Sequence, residues 1–357
     1  MYIAWPDARE ENPLFEEIYK STNRLNSLVN KIDNLIYEVL YQEGVKEVDV
    51  TFSEVIPRHR DNTDWDFTGL SVKVPDSTSV NKLQLRIKQK LTDSSPDISV
   101  ESKVTPANQS IFKIYALDYY THRIVLDHVK REDKKTGPRP RIAIIIDDIG
   151  YDFLLAADFM DLKIPVSLSI LPGAPYTSKI ITRAEEKGCE LLLHLPMEPR
   201  GYPDFDPGPG AVLTSMDKET IYKTVRNNIR KIPGIKGVNH HMGSLFTEKF
   251  EKMSHVLDEI KRHNLFYVDS RTTNRTVAYD TAIAIGVPAA EKNVFIDNDL
   301  SDKALRYQME RLLGIARYSG KAIGIGHPHM ETLKILKDYS ERLQNDFDIV
   351  FVSEIVE

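Results

Sequence analysis

Residues Arg141–Gly150 read RIAIIIDDIG. The run from Ile142 to Ile146 is apolar throughout, which suits a strand buried on both faces, as in a parallel sheet. It stops at Asp147 and Asp148, and Gly150 marks a turn. Two carboxylates at the carboxyl end of a central parallel strand stand where α/β folds place their chemistry. Side by side they repel unless a cation or a shared proton lies between them. The competing reading is a turn with a helix cap, since Asp is common before helices. A doubled acid directly after a buried strand favours a site.

Outward from this stretch, strand-like and helical runs alternate to the end of the chain. The patterns predict strands near 142–147, 166–171, 190–195, 235–240, 265–269, 293–297, 321–326 and 348–352. Helices are predicted near 153–162, 176–187, 217–231, 248–263, 277–285, 302–318 and 331–343. Thr247 and Ser301 are expected N-caps, and Gly188, Gly286 and Gly320 expected helix stops. A repeated β-α unit gives a closed barrel or an open doubly wound sheet. The absence of a glycine fingerprint after any strand argues against dinucleotide or phosphate binding. Polar residues gather after many strands rather than at one switch point, so the expectation is an α/β fold, a (β/α) barrel of seven or eight strands.

Before it, Asn12 and Pro13 form a helix start, and Leu14, Ile18, Leu25, Leu28, Ile32, Leu35 and Val39 recur at helical spacing. Val45–Pro57 and Phe67–Val74 read as a strand pair and Val80–Leu91 as an amphipathic helix. Strands follow at Ile98–Val104 and Ile111–Leu117, with a short one at Arg123–His128. This order predicts a small α+β sandwich with helices on one face of an antiparallel sheet. His59, Trp65 and His122 look isolated, as surface histidines or a core tryptophan. The expected division is a small α+β domain at 1–128, a charged, proline-bearing linker at 129–140 and the barrel at 141–357.

Bulk properties narrow the function. With 357 residues, a net charge of −6 and no broad basic face, the chain is not read as a nucleic-acid binder. The single cysteine, Cys189, excludes an intramolecular disulfide. No apolar run approaches the roughly 18 residues of a membrane span, and Met1–Pro6 does not make a signal peptide.

Chemistry collects at the predicted strand ends. The third strand ends in His194, with Glu198 four residues on; the fourth in Asn239, His240, His241 and Ser244; the fifth in Asp269, Ser270 and Arg271; the seventh in His327 and His329. Asp297 and Asp299, after the sixth, read as loop and cap residues. Five of the ten histidines thus fall at one sheet edge. Imidazole and carboxylate converging on a barrel mouth suit a divalent metal, zinc above others. Of His240 and His241, one faces the site and the other packs; His241 is taken as the ligand. Asp269 and Arg271 either pair with each other or contact substrate. The loop Pro199–Pro209, rich in proline and aromatics, either lines a sugar groove or serves as cover.

The set IDDIG, LLLHLPMEP, NHHMGS, DSRT and GHPH resembles the divergent polysaccharide deacetylase family over about residues 139–357. The resemblance implies a metal-dependent removal of acetyl groups from a carbohydrate of the cell envelope, and an extracytoplasmic location. Asp147 then matches the catalytic base, Asp148 a metal ligand, His194 the first metal histidine and His327 the acid for the leaving group, with His329 its competitor. Where the typical enzymes place a second histidine, this chain has Glu198; either it ligates, or His240 or His241 fills the vacancy. The fourth-strand arginine and proline are replaced by Asn-His-His, and the aspartate–tryptophan motif by Asp269 and Arg271. Two rivals stand beside this reading. One is a non-catalytic envelope protein binding glycan, or a protein partner through its N-terminal domain; the other is a different metallohydrolase such as a phosphoesterase.

Overall fold

The computed structural model describes residues 24–45, 49–60, 63–74, 80–105, 109–127 and 138–357. The helix start at Asn12 and Pro13 lies outside them, as do residues 129–137 of the expected linker.

The first unit contains α1 (Arg24–Gln42), β1 (Val50–Arg60), β2 (Thr63–Lys73), α2 (Val80–Ser94), β3 (Ile98–Val104), β4 (Ser110–Ala116) and β5 (Tyr119–Asp127). The strands order as β1-β2-β5-β4-β3. One face is apolar: Phe52, Leu70, Val72, Phe112, Ile114, Ile124 and Leu126 meet Leu25, Ile32 and Ile36 of α1 and Leu83 and Ile87 of α2. Two expectations need correction. β5 is a nine-residue strand in the middle of the sheet, and it runs parallel to β2, so the sheet is mixed. It is hidden in the sequence because its tight turn from β4 uses Leu117 and Asp118, both at positive φ, without the usual glycine or asparagine. His122 is neither on the surface nor isolated; it is fully buried on β5, with Nε2 3.0 Å from Asp33 Oδ1 and Nδ1 2.9 Å from Thr121 Oγ1.

The second unit runs β6 (Arg141–Ile149), α3 (Phe153–Met160), β7 (Ser167–Ile170), α4 (Thr177–Lys187), β8 (Glu190–Met197), α5 (Lys218–Lys231), β9 (Gly237–Met242), α6 (Phe250–Arg262) and β10 (Phe266–Asp269). It continues with α7 (Ala278–Ile285), β11 (Ala289–Glu291), β12 (Val294–Phe295), α8 (Asp302–Ser319), β13 (Lys321–Gly326), α9 (Met330–Asp346) and β14 (Asp348–Ile349). All pairings are parallel, in the order β11-β10-β9-β8-β7-β6-β13-β12, with β14 beside the start of β6. The β/α barrel expected from the sequence forms, open along one seam between β11 and β12. There Lys292 N donates to Asp269 O and Asn293 N to Ile323 O, so the chain passes from β10 to β13 without joining the two short strands. β11 was not foreseen, being three residues long.

Parity along the strands decides what faces the barrel interior. Ile142, Ile144 and Ile146 pack under the helices, while Ala143 and Ile145 face inward with Leu192, Val268, Ile323 and Ile325. Val352 and Ile355, from the C-terminal turn, join that inner cluster. Each leucine, isoleucine or valine so withdrawn from water contributes about 1.5–3 kcal/mol. Ser301 caps α8 as expected, and Gly188, Gly286 and Gly320 end their helices at positive φ. Thr247 does not cap α6; Lys249 holds that position, and the Thr247 hydroxyl donates to Gly243 O in the preceding turn.

Candidate metal centre

Ala143, Ile145 and Asp147 share the inward parity of β6, so Asp148 should point out among the helices. It does not, because the pairing of β6 with β7 slips between Ile146 and Ile149. The extra residue is a bulge, and Asp148 takes φ 54° within it. Left-handed backbone is uncommon for a non-glycine residue, Asp being among the more tolerant. Gly150 completes the turn, since a Cβ there would lie 2.3 Å from Ala174 Cβ. The bulge turns both carboxylates toward the barrel mouth, and both are fully buried.

His194 and Asn239 are register partners on β8 and β9, and His241 follows Asn239 on the same face. His194 Nε2 lies 3.1 Å and His241 Nδ1 2.9 Å from Asp148 Oδ1. These are the three residues whose ligand atoms all fall within 4.8 Å of one another. Asn239 arranges them: its Nδ2 donates to Asp147 Oδ1 at 2.7 Å, and its Oδ1 accepts from Ser169 Oγ and stands 2.9 Å from His194 Nδ1. An amide oxygen only accepts, so His194 Nδ1 carries a proton and Nε2 is the nitrogen that faces Asp148.

Among the described residues, no hydrogen-bond donor other than the His194 and His241 imidazoles meets the Asp148 oxygens. Burial pushes its carboxyl up, but His241 and His194 beside it outweigh this and hold it well below the usual carboxylate range. Two imidazole nitrogens at contact distance hold a buried carboxylate favourably while they carry protons, and once they are neutral only a cation shared among the three replaces that attraction. The donor set therefore fits a divalent metal, with one carboxylate oxygen and two imidazole nitrogens.

His240 occupies the other face of β9, with Nδ1 2.7 Å from the Tyr267 hydroxyl, and is not part of this cluster. Glu198 is not part of it either. Its carboxylate accepts from Thr214 N, and its backbone exchanges hydrogen bonds with Val212, Leu245 and Phe246, which anchors the loop after β8.

His327 follows Gly326, whose partner on β6 is Ile146, so it stands at the level of Asp147 on the adjacent strand end. Its Nδ1 is 2.8 Å from Asp297 Oδ1, and Asp297 Oδ2 accepts from His327 N and Thr332 Oγ1. Burial acts to raise the Asp297 carboxyl, but His327 and these hydrogen bonds pull it below its ordinary value. An ionised Asp297 has no proton to give, so His327 Nδ1 donates and Nε2 is left for chemistry. Asp297 lies in the loop after β12 as expected, but it is buried there and orients His327. His329 sits at the N-cap of α9, its ring 6.3 Å from that of His327.

Asp269 is buried, and burial raises its carboxyl pKa. It accepts from Arg271 N, Thr276 Oγ1 and Tyr279 N, which orders the turn into α7. The Arg271 guanidinium pairs with Glu291 instead of Asp269. In the loop after β8, Tyr202 and Phe205 face solvent, while Pro207, Gly208 and Pro209 line a cavity of about 200 Å³ with Tyr151, Pro196 and His241.

Asn239 and Asp297 are the functional side chains that the sequence did not single out. Asn239 offers one signal, its place two residues before His241 at a strand end. Asp297 lies two residues past the short strand Val294–Phe295, where an aspartate is as readily a loop or cap residue.

Residues 144–356 match the family model described as divergent polysaccharide deacetylase. The chain is 31% identical over 216 residues to the uncharacterized protein YibQ of Escherichia coli K12, covering 60% of this chain and 67% of that protein. An uncharacterized protein of Haemophilus influenzae is 29% identical over 210 residues, 59% of this chain and 74% of that one. Among solved structures, an uncharacterized protein of Agrobacterium tumefaciens C58 has the same fold, with a TM-score of 0.59 and 24% identity over 62% of this chain and 92% of that chain. With more than half of its length matched by the family model, this chain belongs to the divergent polysaccharide deacetylase family.

Proposed function

We propose that this protein is a metal-dependent hydrolase that removes acetyl groups from a carbohydrate polymer of the cell envelope. The observation that carries the proposal is the buried Asp148 carboxyl, with Oδ1 3.1 Å from His194 Nε2 and 2.9 Å from His241 Nδ1. The family description supports the carbohydrate class. An envelope polymer lies outside the cytoplasmic membrane, so the reading carries an extracytoplasmic location with it. Among the described residues, no helix is long and apolar enough to cross a membrane.

Asp148, His194 and His241 would hold the ion, with zinc the best match to one carboxylate and two imidazoles. A divalent ion there supplies polarisation of the acetyl carbonyl and acidification of a water. Asp147, held by Asn239 Nδ2, takes up the proton of the attacking water as general base. His327, with its Nδ1–H fixed on Asp297, presents Nε2 to the departing amine or hydroxyl and gives it a proton. The cavity lined by Tyr151, Pro207 and Pro209 beside His241 holds the sugar ring that bears the acetyl group.

Acetate release from N-acetylated chitooligosaccharides, with metal analysis of the same preparation, tests the reading. Asp147→Asn should retain the ion and lose about 10²–10⁴-fold in rate, the usual share of a general base. Metal without acetate release in the unaltered protein would replace the hydrolase with a glycan-binding protein. Cleavage of a phosphoester but not an acetyl group would replace it with a phosphoesterase.

A further inference from the structure

A cleft of about 780 Å³ separates the N-terminal sheet from the barrel, within the roughly 300–1,000 Å³ range of small-ligand sites. Its floor is firm, because α8 packs on β1, with the Tyr307 ring 6.1 Å from Phe52 and 4.8 Å from Tyr37. The cleft adjoins the metal centre's mouth. Phe295, which lines it, stacks on His327 with ring centroids 6.0 Å apart, and Arg271 and Glu291 reach it from the ends of β10 and β11.

The lining does not favour an ion. Four carboxylates meet three basic side chains, and most are paired: Asp66 with Arg311, Glu291 with Arg271, Glu54 with Arg123, Asp33 with His122. Beside these pairs and Lys292, the polar lining is hydroxyl and amide. Asn26 and Asn30, one turn apart on α1, face Asn274, Asn298 and Gln308 from the barrel side. Each amide offers donors and acceptors, the complement of a sugar hydroxyl. Gln308 and Arg311 share one face of α8. Gln308 Oε1 and Arg311 Nε are withdrawn from water and have no hydrogen-bond partner among the described residues.

We propose that this cleft binds an uncharged oligosaccharide stretch that leads into the mouth beside His327, so that the N-terminal unit makes the enzyme select long chains. The proposal rests on the carbohydrate reading above and names a polymer, not a free sugar, as its substrate class.

Calorimetric binding of N-acetylated chitooligosaccharides, from di- to hexasaccharide, tests it on the full chain and on Asn26→Ala/Asn30→Ala. Both positions lie on a helix where alanine is the better helix former, so the variant folds, as its unchanged thermal midpoint would record. The hexasaccharide should bind about tenfold or more tighter than the disaccharide, and the double variant should lose that gain. Equal affinity at all lengths, no binding at any length, or a gain that survives in the double variant overturns the cleft. Acetate release in the same samples separates the two readings. Length-dependent binding without acetate keeps the cleft and removes the hydrolase; acetate release with length-independent binding does the reverse.

Discussion

Asn239 touches Asp147, His194 and Ser169 at once, so it sets the proton position on His194 and the orientation of the proposed base. Groups that orient a ligand are worth about 10–100-fold in metal affinity or activity when removed. Asn239→Ala should therefore weaken zinc binding by about that factor in a competition titration, with the fold intact; unchanged affinity would leave the amide a purely packing role. Asp297 acts the same way on His327. A carboxyl depressed on folding contributes stability above its unfolded pKa, near 3.9, and loses it as pH falls through the lower folded value. Asp297→Asn should thus lower the thermal midpoint at pH 7 and have a smaller effect at pH 3. It should also move the alkaline limb of the rate profile to lower pH by about one unit, because the protonated imidazole loses its counter-charge. Residue types at strand ends were legible in the sequence. The bulge that turns Asp148 inward was not, since it depends on a slip against β7 that no local pattern announces.

At the scale of elements, the strands and helices of the barrel follow from apolar runs and cap residues, and β11 alone does not. It spans three residues, too few for a period to emerge. The opposite case is α8, a long amphipathic helix whose one interior glycine looks like a defect. Gly314 is where the helix meets the N-terminal sheet: a Cβ there would lie 2.8 Å from Phe52 Cδ2 and 3.2 Å from Phe52 N. Helix propensity alone favours alanine by about 1 kcal/mol. The contact with a backbone atom should reverse the sign, so Gly314→Ala is expected to cost about 1–3 kcal/mol in denaturant unfolding. A stabilised variant would mean that α8 and β1 are not held this closely.

For the molecule as a whole, the two sheets differ in how far they could be read. Parallel strands buried on both faces announce themselves, and apart from β11 the barrel was legible in the sequence. The N-terminal sheet was not, because β5 enters its middle parallel to β2 through a turn without glycine, and because the Asp33–His122 pair is buried between elements 89 residues apart. No sequence pattern joins the two units; the cleft between them and its amide lining exist only once α8 has packed on β1. The central claim concerns the barrel mouth, where strands β6, β8 and β9 bring three ligand side chains to one point. An anomalous-scattering map at the zinc edge, from crystals of the zinc-treated protein, tests it most directly. The account predicts one strong peak in contact with Asp148, His194 and His241. A map with no peak among those three side chains, or with zinc bound only at surface histidines, would contradict it.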